Sequence, residues 1–200
     1  MIFIFLFVCF PSCTKNDEST VILLGTESYV ERIVDAIPDT LREVFRAQFG
    51  AIPEGYVPPK VEGRFVVAPK QRCSSNVAHW PLGVTEPNLY LSLTNQHNSV
   101  VELNLAEATE TFSDTVFIVG HDQLFTIYYE ENKTMTFDDS LVVLKRGIII
   151  KGDMSPEGIR DLYFANIVMD VQGPAAQDLV KPGQYFIYKD GDGLARKEDW

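Results

Sequence analysis

From Gly63 onward the chain alternates apolar and polar residues with a period of two, the pattern of strands that bury one face. Ser99 to Leu105 is the cleanest case: Val101, Leu103 and Leu105 fall on one side, Glu102 and Asn104 on the other. Leu124 to Glu130 sets Phe125, Ile127 and Tyr129 against Thr126, Tyr128 and Glu130. Arg64–Ala68, Leu89–Thr94, Thr115–Val119, Thr134–Phe137, Leu141–Lys151 and Gln184–Lys189 read as further strands. Leu162–Val171 joins them, because Tyr163, Ala165, Ile167, Met169 and Val171 alternate. About nine short strands with tight turns at Asn95–Asn98, Gly120–Asp122 and Glu131–Asn132 predict a mainly β fold. The expected form is a sequential antiparallel meander closed into a barrel, with a β-sandwich as the alternative.

Upstream the period changes to that of a helix. Ser28-Tyr29-Val30-Glu31 is a capping box, and Val30, Ile33, Val34 and Ile37 follow at helical spacing up to Pro38. Asp39 can cap a second stretch with Leu41, Val44, Phe45 and Phe49 on one face and Gly50 as its stop. A kinked helix or helical hairpin is expected, leaning on the sheet. Residues 27–49 hold Arg32, Arg42 and Arg46 against five acids, the wrong balance for lying on an anionic membrane. Ala51 to Pro59 is a proline-rich extended connector. Pro69 to Asn88 is read as one long connection without regular structure, holding Cys73, His79, Trp80 and Pro81, and expected to be lid-like.

The first residues carry an address. Ten of the first twelve are apolar, Cys13 follows, and Thr14 to Thr20 are polar throughout. A run too short to span a bilayer, then a small residue, a cysteine and a polar tether, reads as a lipoprotein signal. No Lys or Arg precedes the run, as expected if translation starts further upstream. The expected organisation is a signal peptide over 1–12, a tether over 13–20 after lipidated Cys13, a helical segment and connector over 21–62, and the β domain over 63–200. The tether, with Lys15, Asp17 and Glu18, resembles the export signal of Bacteroidetes-type surface lipoproteins. That resemblance implies an outer-membrane lipoprotein at the cell surface, held through an acyl anchor on Cys13; a periplasm-facing protein is the alternative.

Charge and cysteine content narrow the partners. The chain has 17 basic and 28 acidic residues, a formal net charge of -11, which argues against nucleic acid and anionic surfaces as partners. With Cys9 cut away and Cys13 acylated, Cys73 has no disulfide partner, and no His lies within five residues of it to activate the thiol. No Gly-x-Ser-x-Gly elbow, phosphate loop or dinucleotide fingerprint occurs. The three histidines, His79, His97 and His121, fall in the first, second and fourth connections, so a meander would not gather them around zinc. Asp190 and Asp192, beside Gly191 and Gly193, could offer calcium two carboxylates, but Leu194 and Ala195 stand where more oxygen ligands are needed. A turn is the preferred reading there. Trp80, Tyr90, Tyr128, Tyr129 and Tyr163 are either core residues or a sugar-stacking platform. Glu130-Glu131 and Asp138-Asp139 read as solvated charge at strand ends.

A helix followed by a meander whose first connection is long resembles a lipocalin-like barrel over about residues 60–190. Gly63-Arg64-Phe65 echoes the family's Gly-x-Trp, with Phe in the Trp position. The resemblance implies a cavity for a small apolar ligand, partly closed by the first long loop, and so places His79 and Trp80 at its mouth. The expectation is therefore a membrane-anchored, non-catalytic binding module for a small apolar or glycan-derived ligand, with no cofactor. The alternative is a structural or protein-interaction lipoprotein with a partner in the envelope.

Overall fold

The computed structural model describes residues 39–50, 55, 57–78, 80–108, 110–137, 139–173 and 180–198. The stripe that begins at Asp39 forms α1 (Asp39–Phe49). Gly50 closes it, with a φ of 71° and its N–H donating to the Arg46 carbonyl at 3.0 Å. Lys151 Nζ donates to the Phe49 carbonyl, placing a cation where the helix leaves carbonyls without partners. The expected helix over Ser28 to Ile37 lies outside the described residues, as do Cys13 and its signal. Among the described residues no helix is long and apolar enough to cross a membrane.

All other regular structure among the described residues is antiparallel sheet. The strands are β1 (Gly63–Val67), β2 (Lys70–Ser75), β3 (Thr85–Glu86), β4 (Leu89–His97), β5 (Val100–Glu107), β6 (Glu110–His121), β7 (Leu124–Phe137), β8 (Ser140–Ser155), β9 (Gly158–Gln172), β10 (Tyr185–Asp190) and β11 (Leu194–Glu198). They form one 11-stranded sheet in the order β11-β1-β4-β5-β6-β7-β8-β9-β10-β2-β3. A further pairing of β11 with β9 closes a ring of 8 strands, barrel-like but irregular. β9 is the branch point: Gly158–Arg160 pair with β11, and Tyr163–Ile167 with β10. Strands β10, β2 and β3 therefore leave the ring as a wing.

Three details depart from the sequence reading. The stretch from Pro69 to Asn88 is not one structureless connection, because it contributes β2 and β3 to the wing. Glu131–Asn132 is not a turn but the middle of β7, where Glu131 faces Arg146 and Asn132 faces Lys145 on β8. Opposite charges across a strand pair replace the apolar contact that alternation looks for. For the same reason Glu130-Glu131 is not free solvated charge: Lys145 lies 2.8 Å from Glu130, and Arg146 pairs with Glu131.

The core has two layers. Inside the ring, Phe65, Leu91, Leu103, Ile118, Phe125 and Ile127 are fully buried against one another. Outside it, α1 lays Phe45 and Phe49 on Tyr128, Ile149, Ala165 and Ile187. The apolar run Ile148-Ile149-Ile150 serves both: Ile148 and Ile150 point into the ring and Ile149 lies in the layer under the helix. Each such buried side chain contributes about 1.5–3 kcal/mol.

Candidate functional site

β6 and β7 pair only from Phe117 opposite Tyr128 to His121 opposite Leu124. Beyond that, among the described residues, Glu110–Val116 keeps only β5 as a neighbour, and Tyr129–Phe137 keeps only β8. Ile118 donates its N–H toward β5, to the Ser99 carbonyl at 2.9 Å. By strand alternation the N–H groups of Thr111, Ser113 and Thr115 then point the other way, into the seam. Thr115 finds a substitute acceptor in Asp114 Oδ1 at 2.7 Å, which marks where the ladder ends.

The separation leaves a cleft of about 950 Å³ between two arms of the sheet. Leu89, Leu105, Glu107 and Glu110–Asp114 line it from β4, β5 and β6. Lys70, Glu86, Tyr129–Thr134, Arg146, Phe164, Asn166 and Tyr188 line it from the opposite arm. β2 brings charge where strands usually bring apolar groups: Lys70 and Arg72, at alternate positions, are both buried. Burying a cation is costly unless it is paired, and each is. Lys70 meets Glu107 and lies 4.5 Å from the centre of the Tyr188 ring. Arg72 meets Glu86 and lies 4.5 Å from the centre of the Trp80 ring.

The cleft's six acidic residues are all engaged. Glu107 pairs with Lys70, Glu86 with Arg72, Glu110 with Lys133, Glu131 with Arg146 and Glu130 with Lys145. Asp114 accepts the Thr115 N–H. The bond from Lys133 holds the Glu110 carboxyl below its ordinary range, so it is ionised. Burial pushes the Tyr129 phenol up, as it does that of Tyr188, so both keep their protons at physiological pH. Two polar atoms remain: Asn166 Oδ1 and Arg146 Nε are buried and have no hydrogen-bond partner among the described residues. Phe112 and Tyr129 stack beside them.

The residues singled out in the sequence are scattered around this cleft. Cys13 and His79 lie outside the described residues. Trp80 is 46% exposed and packs on the wing, its ring 4.7 Å from that of Phe186. It braces Arg72 at the cleft's edge, though it does not itself line the cleft. Asp190 is buried and accepts the N–H groups of Ala68 at 3.0 Å and Asp192 at 3.1 Å. Asp192 accepts from Leu194 at 3.0 Å and from Arg196 at 3.2 Å. Their carboxylates thus fasten the corner where β1 bends toward β2 and β10 toward β11. Among the described residues no group of three or more His, Cys, Asp and Glu is placed to hold a metal ion. Cys73 packs in the layer under α1 and donates to the Ile187 carbonyl at 3.4 Å, and burial pushes its thiol up. His97 ends β4 and His121 ends β6; both are exposed. Of the five candidate platform aromatics, Tyr128 and Tyr129 are buried, whereas Tyr90 and Trp80 are exposed.

Lys70, Arg72, Arg146 and Asn166 were not picked out from the sequence. The one signal for the first two was the alternation of Lys70, Arg72 and Ser74, a polar period of two in place of an apolar one. No protein-family model, curated protein or solved structure matches the chain.

Proposed function

We propose that this chain is a non-catalytic binding module whose cleft takes a neutral, hydroxyl-rich, glycan-derived molecule. The observation that carries this reading is a cleft of about 950 Å³ in which five of the six described carboxylates are ion-paired, while Asn166 Oδ1 and Arg146 Nε have no partner among the described residues. Five ion pairs leave the Asp114 carboxylate as the one lining charge without an ion pair among the described residues, which is little to hold an ion. Unsatisfied buried polar atoms favour a ligand that supplies hydrogen bonds. Half-buried Phe112, stacked on buried Tyr129, adds apolar surface of the kind that sugar rings cover. An apolar ligand inside the ring has less in its favour, since the interior is filled by the chain's own side chains. Five of the six cleft carboxylates among the described residues are held by Lys or Arg, which supports binding over catalysis.

The reading includes an acyl anchor on Cys13 and an outer-membrane, surface-facing location of the Bacteroidetes lipoprotein type. It takes the irregular ring as a lipocalin-like barrel opened along one seam. The test is native mass spectrometry of the protein purified from its own cell envelope, wild type and Asn166→Leu side by side. A reproducible added mass of sugar composition, lost on denaturation and reduced in the variant, is expected. A bare chain mass in both, with complexes forming only beside other envelope proteins, overturns the reading. That second outcome would favour the interaction module, for which the unpaired edges of β6 and β7 are the motive, since such edges accept an extended peptide.

A further inference from the structure

We infer that the ligand is a chain of several sugar units, running from the cleft over the free edge of β6 and onto the outer face of β1, β4, β5 and β6. This rests on the glycan reading of the cleft and adds a second binding surface to it. A groove of about 540 Å³ lies on that outer face, lined by Arg64, Tyr90, Ser92, Thr94, Asn104 and Ser113 among others. Leu105, Thr111, Phe112 and Ser113 line both the groove and the cleft. They can do so because, among the described residues, β6 between Glu110 and Val116 has no strand beyond it, so its edge is a sill between the two depressions and not a wall.

The register builds the groove floor. Arg64 lies opposite Ser92, Ser92 opposite Asn104, and Asn104 opposite Ser113, one row of hydroxyl, amide and guanidinium groups crossing four strands. Adjacent members of such a row are about 4.8 Å apart. In the next row Tyr90 lies opposite Ala106 and Ala106 opposite Thr111, so small side chains leave the space beside the tyrosine ring open. Tyr90 is 36% exposed, and the Arg64 guanidinium sits 5.8 Å from its ring centre. Arg64, the one basic residue among the described lining, is ion-paired with Glu198 at 3.5 Å, and no described acidic residue lines the groove, so it suits an uncharged ligand. An exposed aromatic face beside a row of small hydrogen-bonding groups is the chemistry that holds an extended neutral oligosaccharide.

The test is isothermal calorimetry on the full chain with unbranched cello-, chito- and malto-oligosaccharides of two to eight units. For the series that binds, affinity is expected to rise about tenfold between two and six units. Tyr90→Ala should abolish that rise and leave the two-unit ligand unchanged. Asn104→Arg, which crowds the middle of the row, should do the same. Asn166→Leu should weaken every length alike. A flat length profile, or a Tyr90→Ala variant that binds all lengths like the wild type, overturns the extended site while leaving the cleft reading intact. Binding of no oligosaccharide at any length removes both.

Discussion

Phe112 and Tyr129 stack with ring centroids 4.7 Å apart and planes 22° apart, across the seam where β6 and β7 no longer pair. The two strands are joined by a ladder at one end of the seam and by this aromatic contact near its start. The contact closes the floor of the cleft above the ring's packed interior. Tyr129→Ala is expected to cost about 3–5 kcal/mol, mostly from the cavity it leaves. A double-mutant cycle with Phe112→Ala should show a coupling of about 1 kcal/mol in urea unfolding. Additive losses would mean that the stack does not hold the seam.

The pair Lys70–Glu107 is asymmetric, with the lysine side chain 3% and the glutamate 32% exposed. Removing the partner of a deeply buried charge costs more than removing the partner of one that can turn to water. Glu107→Gln is therefore expected to lose about 3 kcal/mol, and Lys70→Met distinctly less. Urea midpoints of the two variants decide this, and a larger loss for Lys70→Met would contradict the placement of β2 in the wall of the cleft.

The corner at Asp190 and Asp192 should respond to pH. Burial, and then the neighbouring Asp192 carboxyl, raise Asp190; the hydrogen bond from Asp190, and then the Leu194 N–H, lower Asp192. A raised carboxyl stabilises the fold below its unfolded value and loses that contribution as pH rises through the folded one. A lowered carboxyl contributes above the unfolded value and loses it as pH falls through the folded one. The pair is thus most favourable near the ordinary aspartate value of 3.8, with Asp190 protonated and Asp192 ionised. Asp192→Asn should lower stability most at about pH 4 and least at about pH 7.5. A difference that stays constant across that range in urea titrations would show that no proton is shared.

Gly120 lies within the paired part of β6, opposite Phe125, with a φ of 155°, and donates its N–H to the Gly55 carbonyl at 2.8 Å. A Cβ there would lie 2.1 Å from the Leu124 carbonyl oxygen. Gly120→Ala is expected to cost roughly 3 kcal/mol and to loosen the β6–β7 hairpin. Faster amide exchange at Phe117 and Val119 than in the wild type checks this, and unchanged protection would refute it.

Much of the architecture was legible in the chain. Val101, Leu103 and Leu105 are buried and Glu102 and Asn104 exposed, as their alternation demands. The segment from Leu162 to Val171, read as strand from its alternation, lies within β9. Asp39 opens and Gly50 stops a helix with Phe45 buried beneath it. β2 was missed because Lys70 and Arg72 occupy buried positions that only Glu107, Glu86 and Tyr188, supplied by other strands, make tolerable. The long β7 was read as two strands with a turn between, because Glu131 and Asn132 look like turn residues until Lys145 and Arg146 stand opposite them.

Hydrophobic period depends on each residue's own transfer energy and on its immediate neighbours. It therefore settled, from composition and order alone, that this is a mainly β chain with one-sided strands and an amphipathic helix before them. Which edges pair is another matter, because every strand offers the same N–H and C=O groups and pairing depends on where the rest of the chain has gone. Only the tertiary structure decided that β9 divides its edge between β10 and β11, and that β6 and β7 part after Phe117 and Tyr128. The cleft is made by that parting, and it is lined by buried Lys70 and by Asn166 and Arg146, whose Oδ1 and Nε have no partner among the described residues.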